Sequence, residues 1–275
     1  MATIPVEKAP KPGLNIYGCG AVNPYKCAIF AEELGISYNY ITMDMSKDET
    51  HADWFVAHIN PNGKAPAIVH VKEDGTSVTV WESVACLLYM ADVFDKENRL
   101  SYPNGTPEYY TQLSWLTWQA AGYGPMLGQA AHFNRYCPQD VAYGKWRYTA
   151  ECRRLHDVLE KRLATSEFVA GDRLTVADIA IFIYTHSARW CGADLAEFPR
   201  VRAWRDALAR RPAFQQALQV PVPYGFSDAA VVDPANQDFL KTMRKWGTQG
   251  IKGSTESWRA EVVPLPSDHA NYEEE

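Results

Sequence analysis

The chain has 275 residues, which is long enough for two ordinary domains. Hydrophobic residues make up 47% and charged residues 22%, the balance of a globular protein. The net charge of -6 argues against a nucleic-acid-binding or anionic-membrane surface, and no apolar run approaches the roughly 20 residues that a membrane span needs.

The N-terminal residues MATIPVEKAPKPG lack the apolar core of a secretion signal, and we expect residues 1–13 to form a loose arm. The six cysteines are scattered singly, without a C-x-x-C pair and without the Cys/His spacing of a metal site. This pattern predicts reduced thiols, a cytoplasmic location and no bound metal.

The first predicted elements follow the order strand, helix, strand. The segment LNIYGCG, 14–20, is typical of a strand, and the helix after it begins near Pro24 and ends at Gly35. A second strand is expected at 37–44. A crossover of this kind favours parallel pairing of the two strands.

The next elements form a hairpin followed by a helix. Strands are expected at 65–71 and 77–81 on either side of the Gly-containing turn KEDGT, and a helix begins at Glu82 and Ser83. The order βαβ then ββα predicts a thioredoxin-like N-terminal domain with a mixed four-stranded sheet. The fold class is therefore α/β followed by all-α, because the signals beyond this point are helical.

The helical part includes an [ST]-x-x-D capping pattern formed by Thr175 and Asp178 before the apolar segment VADIAIFIY. The expected organisation is an arm at 1–13, the thioredoxin-like domain at 14–94, a linker at 95–106, an all-helical domain at 107–220 and a C-terminal extension at 221–275.

Asn23 occupies a position of chemical interest. Thioredoxin-like proteins place C-P-x-C after their first strand, whereas this chain has Asn23-Pro24-Tyr25-Lys26. One interpretation is that Asn23 only caps the helix. The other is that its amide donates a hydrogen bond to the thiolate of a bound small molecule, because stabilising the anion increases the reactive form of the thiol.

Two further segments are candidates for ligand binding. In NPNGKAPAI, Pro66 is either an ordinary turn residue or a cis-proline that turns the N–H and C=O of Ala65 toward a peptide-like ligand, with Lys64 near a carboxylate. In WESVACLL, Glu82 and Ser83 either cap the helix or hold the head of a free amino acid. Together with Asn23, these sites describe a receptor for γ-Glu-Cys-Gly.

The motifs NPNGKAPAI, WESVACLLY and GDRLTVADIA resemble those of the cytosolic glutathione transferases. The stretch GPMLGQAAHFNRYCPQ, 124–139, is similar to a signature of the nu-class bacterial enzymes and of the transferase-like domain of the fungal nitrogen-regulator prion protein. This resemblance covers roughly 14–218. It implies a two-domain, homodimeric enzyme that uses glutathione as co-substrate, needs no metal, and binds neither nucleic acid nor membranes.

The resemblance also implies site residues. Asn23 would contact the glutathione sulfur as the catalytic residue, and the tripeptide would be bound by His51, Lys64, Ala65, Pro66, Glu82, Ser83 and Arg147. Because the family places its second substrate between the domains, an apolar pocket would include some of Trp118, Tyr123, Met126, Gln129, His132 and Phe133. On sequence alone, His132 and Trp118 also suit a helical core.

The chain departs from the nu-class pattern at two positions. Ala21 replaces a Thr that makes a second sulfur contact, and Pro24 replaces a Gly. Tyr17 or Cys19 are possible substitutes for the lost hydroxyl. Losing one hydrogen bond to a charged group costs about 1.5–3 kcal/mol, so disulfide reduction is less secure than glutathione binding.

The predicted function is activation of the glutathione thiolate for attack on an apolar electrophile or a disulfide. Three alternatives remain: a glutathione-dependent disulfide oxidoreductase or deglutathionylase, a glutathione-dependent isomerase or thiol-adding enzyme of fungal secondary metabolism, and a non-catalytic glutathione-binding regulator. The extension, with the basic and aromatic segment KTMRKWGTQGIK at 241–252 and an acidic end, is either a surface wrap, a lid over the electrophile site or a brace on a partner subunit.

Overall fold

The computed structural model describes residues 2–137 and 139–249. The remainder of the C-terminal extension, including the acidic end and the last residues of KTMRKWGTQGIK, lies outside the described residues. No helix in the described ranges is both long and apolar enough to cross a bilayer.

The N-terminal domain contains a mixed sheet in the order β2-β1-β3-β4. Its strands are β1 (Gly13–Gly18), β2 (Tyr38–Thr42), β3 (Ala67–Val71) and β4 (Ser77–Trp81). β1 pairs in parallel with β2, whereas β3 is antiparallel to both β1 and β4. The βαβ–ββα prediction is confirmed, and Ser77–Trp81 has the predicted bounds.

Three helices complete this domain: α1 (Tyr25–Leu34), α2 (Asp53–His58) and α3 (Ser83–Phe94). α1 ends, as predicted, at Gly35, which has the left-handed φ of 69°. It is buried nearly all round because it lies between α3 of its own domain and helices of the second domain. The sequence analysis missed α2, whose six residues are too few to show a helical period.

The second domain is helical, as predicted. It contains α4 (Pro107–Trp118), α5 (Gly124–Ala131), α6 (Ala142–Arg162), α7 (Val176–Thr185), α8 (Pro199–Ala209) and α9 (Pro212–Ala217). Two π-helical turns, Gln119–Tyr123 and His132–Tyr136, stand before and after α5. Such turns are frequent at functional sites, and Gln119 in the first of them accepts a hydrogen bond from Lys26 of α1 at 2.9 Å.

The predicted capping box at the start of α7 is present and forms a polar centre in the helical core. The fully buried Asp178 carboxylate accepts hydrogen bonds from the backbone N–H of Val169 at 2.9 Å, from the N–H and hydroxyl of Thr175 at 3.0 Å, and from Trp204 Nε1 at 3.2 Å. These donors satisfy a carboxylate that would otherwise be costly to bury. Asp178 therefore fixes α7, which carries part of the functional site.

The N-terminal arm is not loose, contrary to the expectation for residues 1–13. The hydroxyl of Tyr17 donates to the Lys8 carbonyl at 2.7 Å. Lys8 Nζ donates to the Thr42 carbonyl at 2.5 Å and to Glu49 Oε2 at 2.7 Å. These long-range bonds hold the arm along the sheet. The sequence of a short proline-containing segment does not indicate such long-range hydrogen bonds.

The described part of the extension packs on both domains and ends in α10 (Gln237–Gln249). Tyr25 at the start of α1 donates to the Val222 carbonyl at 2.8 Å, and the Tyr224 hydroxyl is hydrogen-bonded to Ser187 after α7. A β-carbon on Gly225 would lie 2.2 Å from the ring of Phe239, so this approach requires glycine. This described part of the extension is thus part of the core.

We predict that Asp178→Ala lowers the free energy of unfolding by about 3 kcal/mol or more, because it leaves the buried N–H groups of Val169 and Trp204 without acceptors at about 1–3 kcal/mol each. Urea denaturation measures the change. The matched control is Asp194→Ala, which removes an exposed cap that accepts from Ala196, and this should cost only about 1 kcal/mol. Equal losses in the two variants would contradict the assigned role.

Candidate functional site

A cavity of about 280 Å³ opens between the two domains at the start of α1. The predicted site residues among those that line it are Asn23, Lys64, Ala65, Pro66, Glu82 and Ser83. The rest of the lining comprises Cys19, Ala21, Val22, Thr50, Asn60, Asn62, Tyr136, Tyr184, Phe226 and Met243. Segments that are far apart in the sequence therefore converge, because the crossover unit brings the beginnings of α1, β3 and α3 to one edge of the sheet.

Asn23 does not cap α1. The residue at the cap position is Pro24, which has helical φ and ψ, and no side chain caps the helix. Instead, Asn23 Nδ2 donates to the Tyr184 hydroxyl of α7 at 3.3 Å. This bond uses one amide hydrogen and fixes the orientation of the amide, which leaves the second hydrogen for a ligand in the cavity.

Tyr184 is a neutral partner for this amide. Burial raises the pKa of Tyr184 to about 12, although the hydrogen bond from Asn23 acts in the opposite direction. A phenol in this state does not compete as a base for the proton of a thiol near neutral pH. The arrangement can therefore stabilise a thiolate by donation from Asn23, but Tyr184 does not act as the base that deprotonates the thiol.

The loop between α2 and β3 forms a second wall. The Ala65-Pro66 peptide bond is cis, which agrees with the cis-proline interpretation and not with that of an ordinary turn residue. Asn60 Nδ2 donates to the Lys64 carbonyl at 2.6 Å and so holds the loop in place. Within the described ranges, the N–H and C=O of Ala65 form no backbone hydrogen bond, which leaves them available to pair with an extended peptide.

The beginning of α3 forms the third wall. Ser83 is the first helical residue, and Glu82 precedes it with a φ of 69°, a conformation that costs a non-glycine residue about 1–3 kcal/mol. Glu82 makes no capping bond, contrary to the plain-capping interpretation. The first turn of α3 therefore has no side-chain cap, and because Ser83 lines the cavity, this helix start can receive a carboxylate.

Lys26 is a component of the site that the sequence analysis did not identify. Its side chain is 1% exposed, and Nζ donates to Ser83 Oγ at 3.1 Å and to Gln119 Oε1 at 2.9 Å. Burial lowers its pKa to about 7. One indication of this role is present in the sequence, which is that Lys26 lies on the predicted helix that follows Asn23. A lysine on a helix that is buried is unusual.

Two of the predicted glutathione contacts lie outside the cavity. His51 Nδ1 is 2.6 Å from Asp48 Oδ1, and the imidazole packs against Gly63, where a β-carbon would be 2.7 Å from the ring. His51 thus supports the loop, while its neighbour Thr50 lines the cavity. Arg147 lies on α6, where it is 3.8 Å from Glu151 and does not reach the cavity of its own chain.

The predicted second-substrate residues do not form the apolar wall. Trp118, Tyr123, Met126, Gln129, His132 and Phe133 are all absent from the cavity lining. Tyr123 is a core residue, fully buried and hydrogen-bonded to Thr185 at 2.8 Å and to His156 at 3.1 Å. The ring of Trp118 stacks on it at 4.9 Å, whereas Gln129 faces solvent. Sequence periodicity could not show which helical face meets the first domain.

The apolar wall is instead built by Tyr136, Tyr184, Phe226 and Met243. Tyr136 ends the second π-helical turn and lies within the signature at 124–139 that carries the family resemblance. Phe226 and Met243 belong to the extension and are 2% and 4% exposed. No local pattern marks them, because their position depends on how residues 221–243 pack across both domains.

The proposed substitutes for the missing Thr differ in position. Tyr17 is fully buried and bonded to Lys8, away from the cavity. Cys19 lines the cavity, but burial raises the pKa of its thiol to about 11. Cys19 is thus at most a weak neutral donor at this site. No group of His, Cys, Asp or Glu side chains suited to a metal occurs in the described ranges.

Comparison with known proteins identifies the family. The family model described as "Glutathione S-transferase, N-terminal domain" matches residues 13–92. The model described as "Glutathione S-transferase, C-terminal domain" matches residues 148–212. The disulfide-bond oxidoreductase YfcG of Escherichia coli is 38% identical over 207 residues, covering 74% of this chain and 94% of its own. The transcriptional regulator URE2 of Saccharomyces cerevisiae is 32% identical over 234 residues, covering 72% of this chain and 65% of its own.

Solved structures give the same result. A glutathione transferase homolog from Lodderomyces elongisporus, crystallised with two GSH per subunit, superposes with a TM-score of 0.73 and 38% identity. The match covers 77% of this chain and 99% of that one. The thioredoxin-like and helical domains, the shared motifs and these relatives agree, and the chain belongs to the glutathione S-transferase family.

Proposed function

We propose that this protein binds glutathione in the cavity between its domains and activates the thiolate for attack on an apolar electrophile or a disulfide. The observation that carries the proposal is that Asn23, the free backbone groups of Ala65 and the start of α3 at Ser83 line one cavity. Glutathione in the structure of the Lodderomyces relative supports the identity of the ligand.

The tripeptide fits these groups in one direction. Its γ-glutamyl carboxylate would meet the first turn of α3 and Ser83, and its ammonium would meet Glu82. The cysteinyl backbone would pair with Ala65, and the glycyl carboxylate would face Lys64. This arrangement places the sulfur beside Asn23, at the boundary with the apolar wall.

The reaction needs only that the sulfur be anionic and correctly placed. The thiolate sulfur uses its electron pair to form a bond to an electrophilic carbon, and the leaving group departs with the electrons of the bond that breaks. The second amide hydrogen of Asn23 stabilises the thiolate, while the proton of the thiol goes to solvent. Tyr136, Tyr184, Phe226 and Met243 would bind the apolar part of the second substrate, which supports the lid hypothesis for the extension.

Glutathione-dependent disulfide reduction is a second candidate, supported by the similarity to the oxidoreductase YfcG. Two glutathione molecules would reduce one disulfide to two thiols and leave glutathione disulfide. Cys152 and Cys191 are unsuited to this role, because burial raises the pKa of Cys152 to about 12 and that of Cys191 well above its ordinary value. Free cysteines are also consistent with a reducing, cytoplasmic location.

We also propose a homodimer, paired through the exposed aromatic face at the start of α6. Tyr143 and Trp146 are 70% and 65% exposed, which is unusual for large apolar side chains. Arg147 is adjacent to this face, so a partner subunit could receive it. Analytical sedimentation tests the assignment. The native protein should sediment as a dimer, and the Trp146→Ser variant should sediment as a monomer.

We predict that Asn23→Ala lowers kcat/KM with a halo-aromatic electrophile by about 10- to 150-fold, because a hydrogen bond to a charged group contributes about 1.5–3 kcal/mol. The pKa of the bound glutathione thiol should rise, as measured by the ultraviolet absorbance of the thiolate. Asn39→Ala, which alters an asparagine of β2 outside the cavity, is the control. Unchanged turnover and thiol pKa in Asn23→Ala would exclude the proposed catalytic role.

We predict that Met243→Ala raises the KM for an apolar electrophile by about 5- to 30-fold, since removing the buried thioether loses about 1–2 kcal/mol of apolar contact. Affinity for glutathione should change little, because Met243 lies on the opposite wall. Val232→Ala, at a 58% exposed position of the extension, serves as the matched control. If both variants behave like the native protein, the extension does not line the second-substrate site.

We predict that iodoacetamide at neutral pH modifies Cys137 first, because the other five cysteines are buried. Peptide mass spectrometry after a short exposure measures the order. Cys19→Ser and Cys137→Ser should each retain glutathione-dependent disulfide reduction. Loss of reduction in either variant would show that a protein thiol takes part in the reaction.

A further inference from the structure

Lys26 is buried directly behind Ser83, where the two domains meet. In addition to its bonds to Ser83 and Gln119, Nζ lies 5.4 Å from the centre of the Tyr184 ring. Lys26 also lines a second cavity, of about 290 Å³, together with Asn23, Glu82 and Ser83. An ammonium is retained at such a depth only where its environment stabilises the charge.

The charged and titratable groups around Lys26 come from four segments. They are Cys27 on α1, Glu82 before α3, Cys86 within α3 and Tyr184 on α7. Burial lowers the pKa of Lys26 to about 7, and the three acidic groups Cys27, Glu82 and Cys86 act in the opposite direction. Among the described residues no carboxylate lies within ion-pair distance of Nζ, so its charge is only partly compensated.

The protonation state of Lys26 determines what Ser83 can do. An ammonium group has only donors, so Ser83 Oγ must accept its hydrogen bond and keeps its own hydroxyl hydrogen for the cavity. A neutral amine has a lone pair that can accept this hydrogen, which would turn the Ser83 hydroxyl away from a ligand. Gln119 Oε1 holds Nζ in place in either state.

We propose that Lys26 is a positioning residue for the γ-glutamyl end of glutathione, holding Ser83 as a donor and taking up a proton from solvent when the α-carboxylate binds. The inference rests on the proposed function, and it adds a buried charge that acts through Ser83 without touching the ligand. It makes glutathione binding and the protonation of one lysine a single coupled event.

The sign of the pH dependence follows from the charges. A carboxylate at the start of α3 favours the ammonium form of Lys26, so affinity is highest where Lys26 is already charged in the free protein. Affinity falls as the pH rises through about 7, because the ligand must then recruit a proton. If only the charged form binds, the dissociation constant rises about tenfold between about pH 6 and about pH 8.

Titration calorimetry with S-methylglutathione tests the proposal, since this ligand has no thiol to titrate. We expect the native protein to take up about half a proton per ligand at about pH 7, determined in buffers of different ionisation enthalpy. The analogue 4-aminobutyryl-(S-methyl)Cys-Gly has neither the α-carboxylate nor a free thiol, and it should cause no uptake. This comparison uses the native protein, so it remains decisive if a Lys26 variant fails to fold.

Lys26→Met should weaken S-methylglutathione binding, abolish the proton uptake and flatten the pH dependence. Lys64→Met is the matched control: Lys64 is exposed on the cavity wall, so its loss should weaken binding by a similar factor at each pH and leave the uptake intact. A native protein with pH-independent affinity and no uptake overturns the inference and leaves the proposed function standing. Absence of S-methylglutathione binding at every pH overturns the proposed function itself.

Discussion

The docking of α1 against the helical domain is the constraint on which the site depends. Lys26 joins α1 to α3 through Ser83 and to the second domain through Gln119, and Asn23 reaches Tyr184 of α7. Two parallel hydrogen bonds of 2.6 and 2.8 Å between Arg211 and Glu33 tie the other end of α1. Without these contacts the two domains would not enclose a common cavity, and the sulfur position would face open solvent.

This constraint explains why polar and apolar walls meet at one point. The first domain supplies backbone groups and a helix start that suit a charged peptide, whereas the second domain and the extension supply aromatic rings. In the proposed function, a glutathione thiolate at this boundary would accept a hydrogen bond from the Asn23 amide on one side and would meet little competing water on the other. Asp178 contributes indirectly, because it fixes the beginning of the helix that carries Tyr184.

Local signals in the sequence were sufficient for the fold and for the part of the cavity lining contributed by Asn23, 64–66 and 82–83. The left-handed Gly35, the hairpin turn and the position of Pro66 each act within a few residues, so their structural effects could be predicted. The apolar wall could not be predicted in this way. Tyr123 and Trp118 were expected in it, but their rings turn into the core through contacts with α6 and α7. The burial of Lys26 likewise depends on packing between domains, which periodicity does not reveal.

The position of Phe226 and Met243 has a consequence for descent. Both lie beyond residues 13–92 and 148–212, the parts that match the family's two domains. If these two residues bind the second substrate as proposed, substitutions in this C-terminal segment would alter which apolar molecule is accepted and would leave the proposed glutathione-binding groups of the first domain unchanged. New substrate preferences could then evolve through substitutions in a short segment, and no intermediate in the lineage would need to lose glutathione activation.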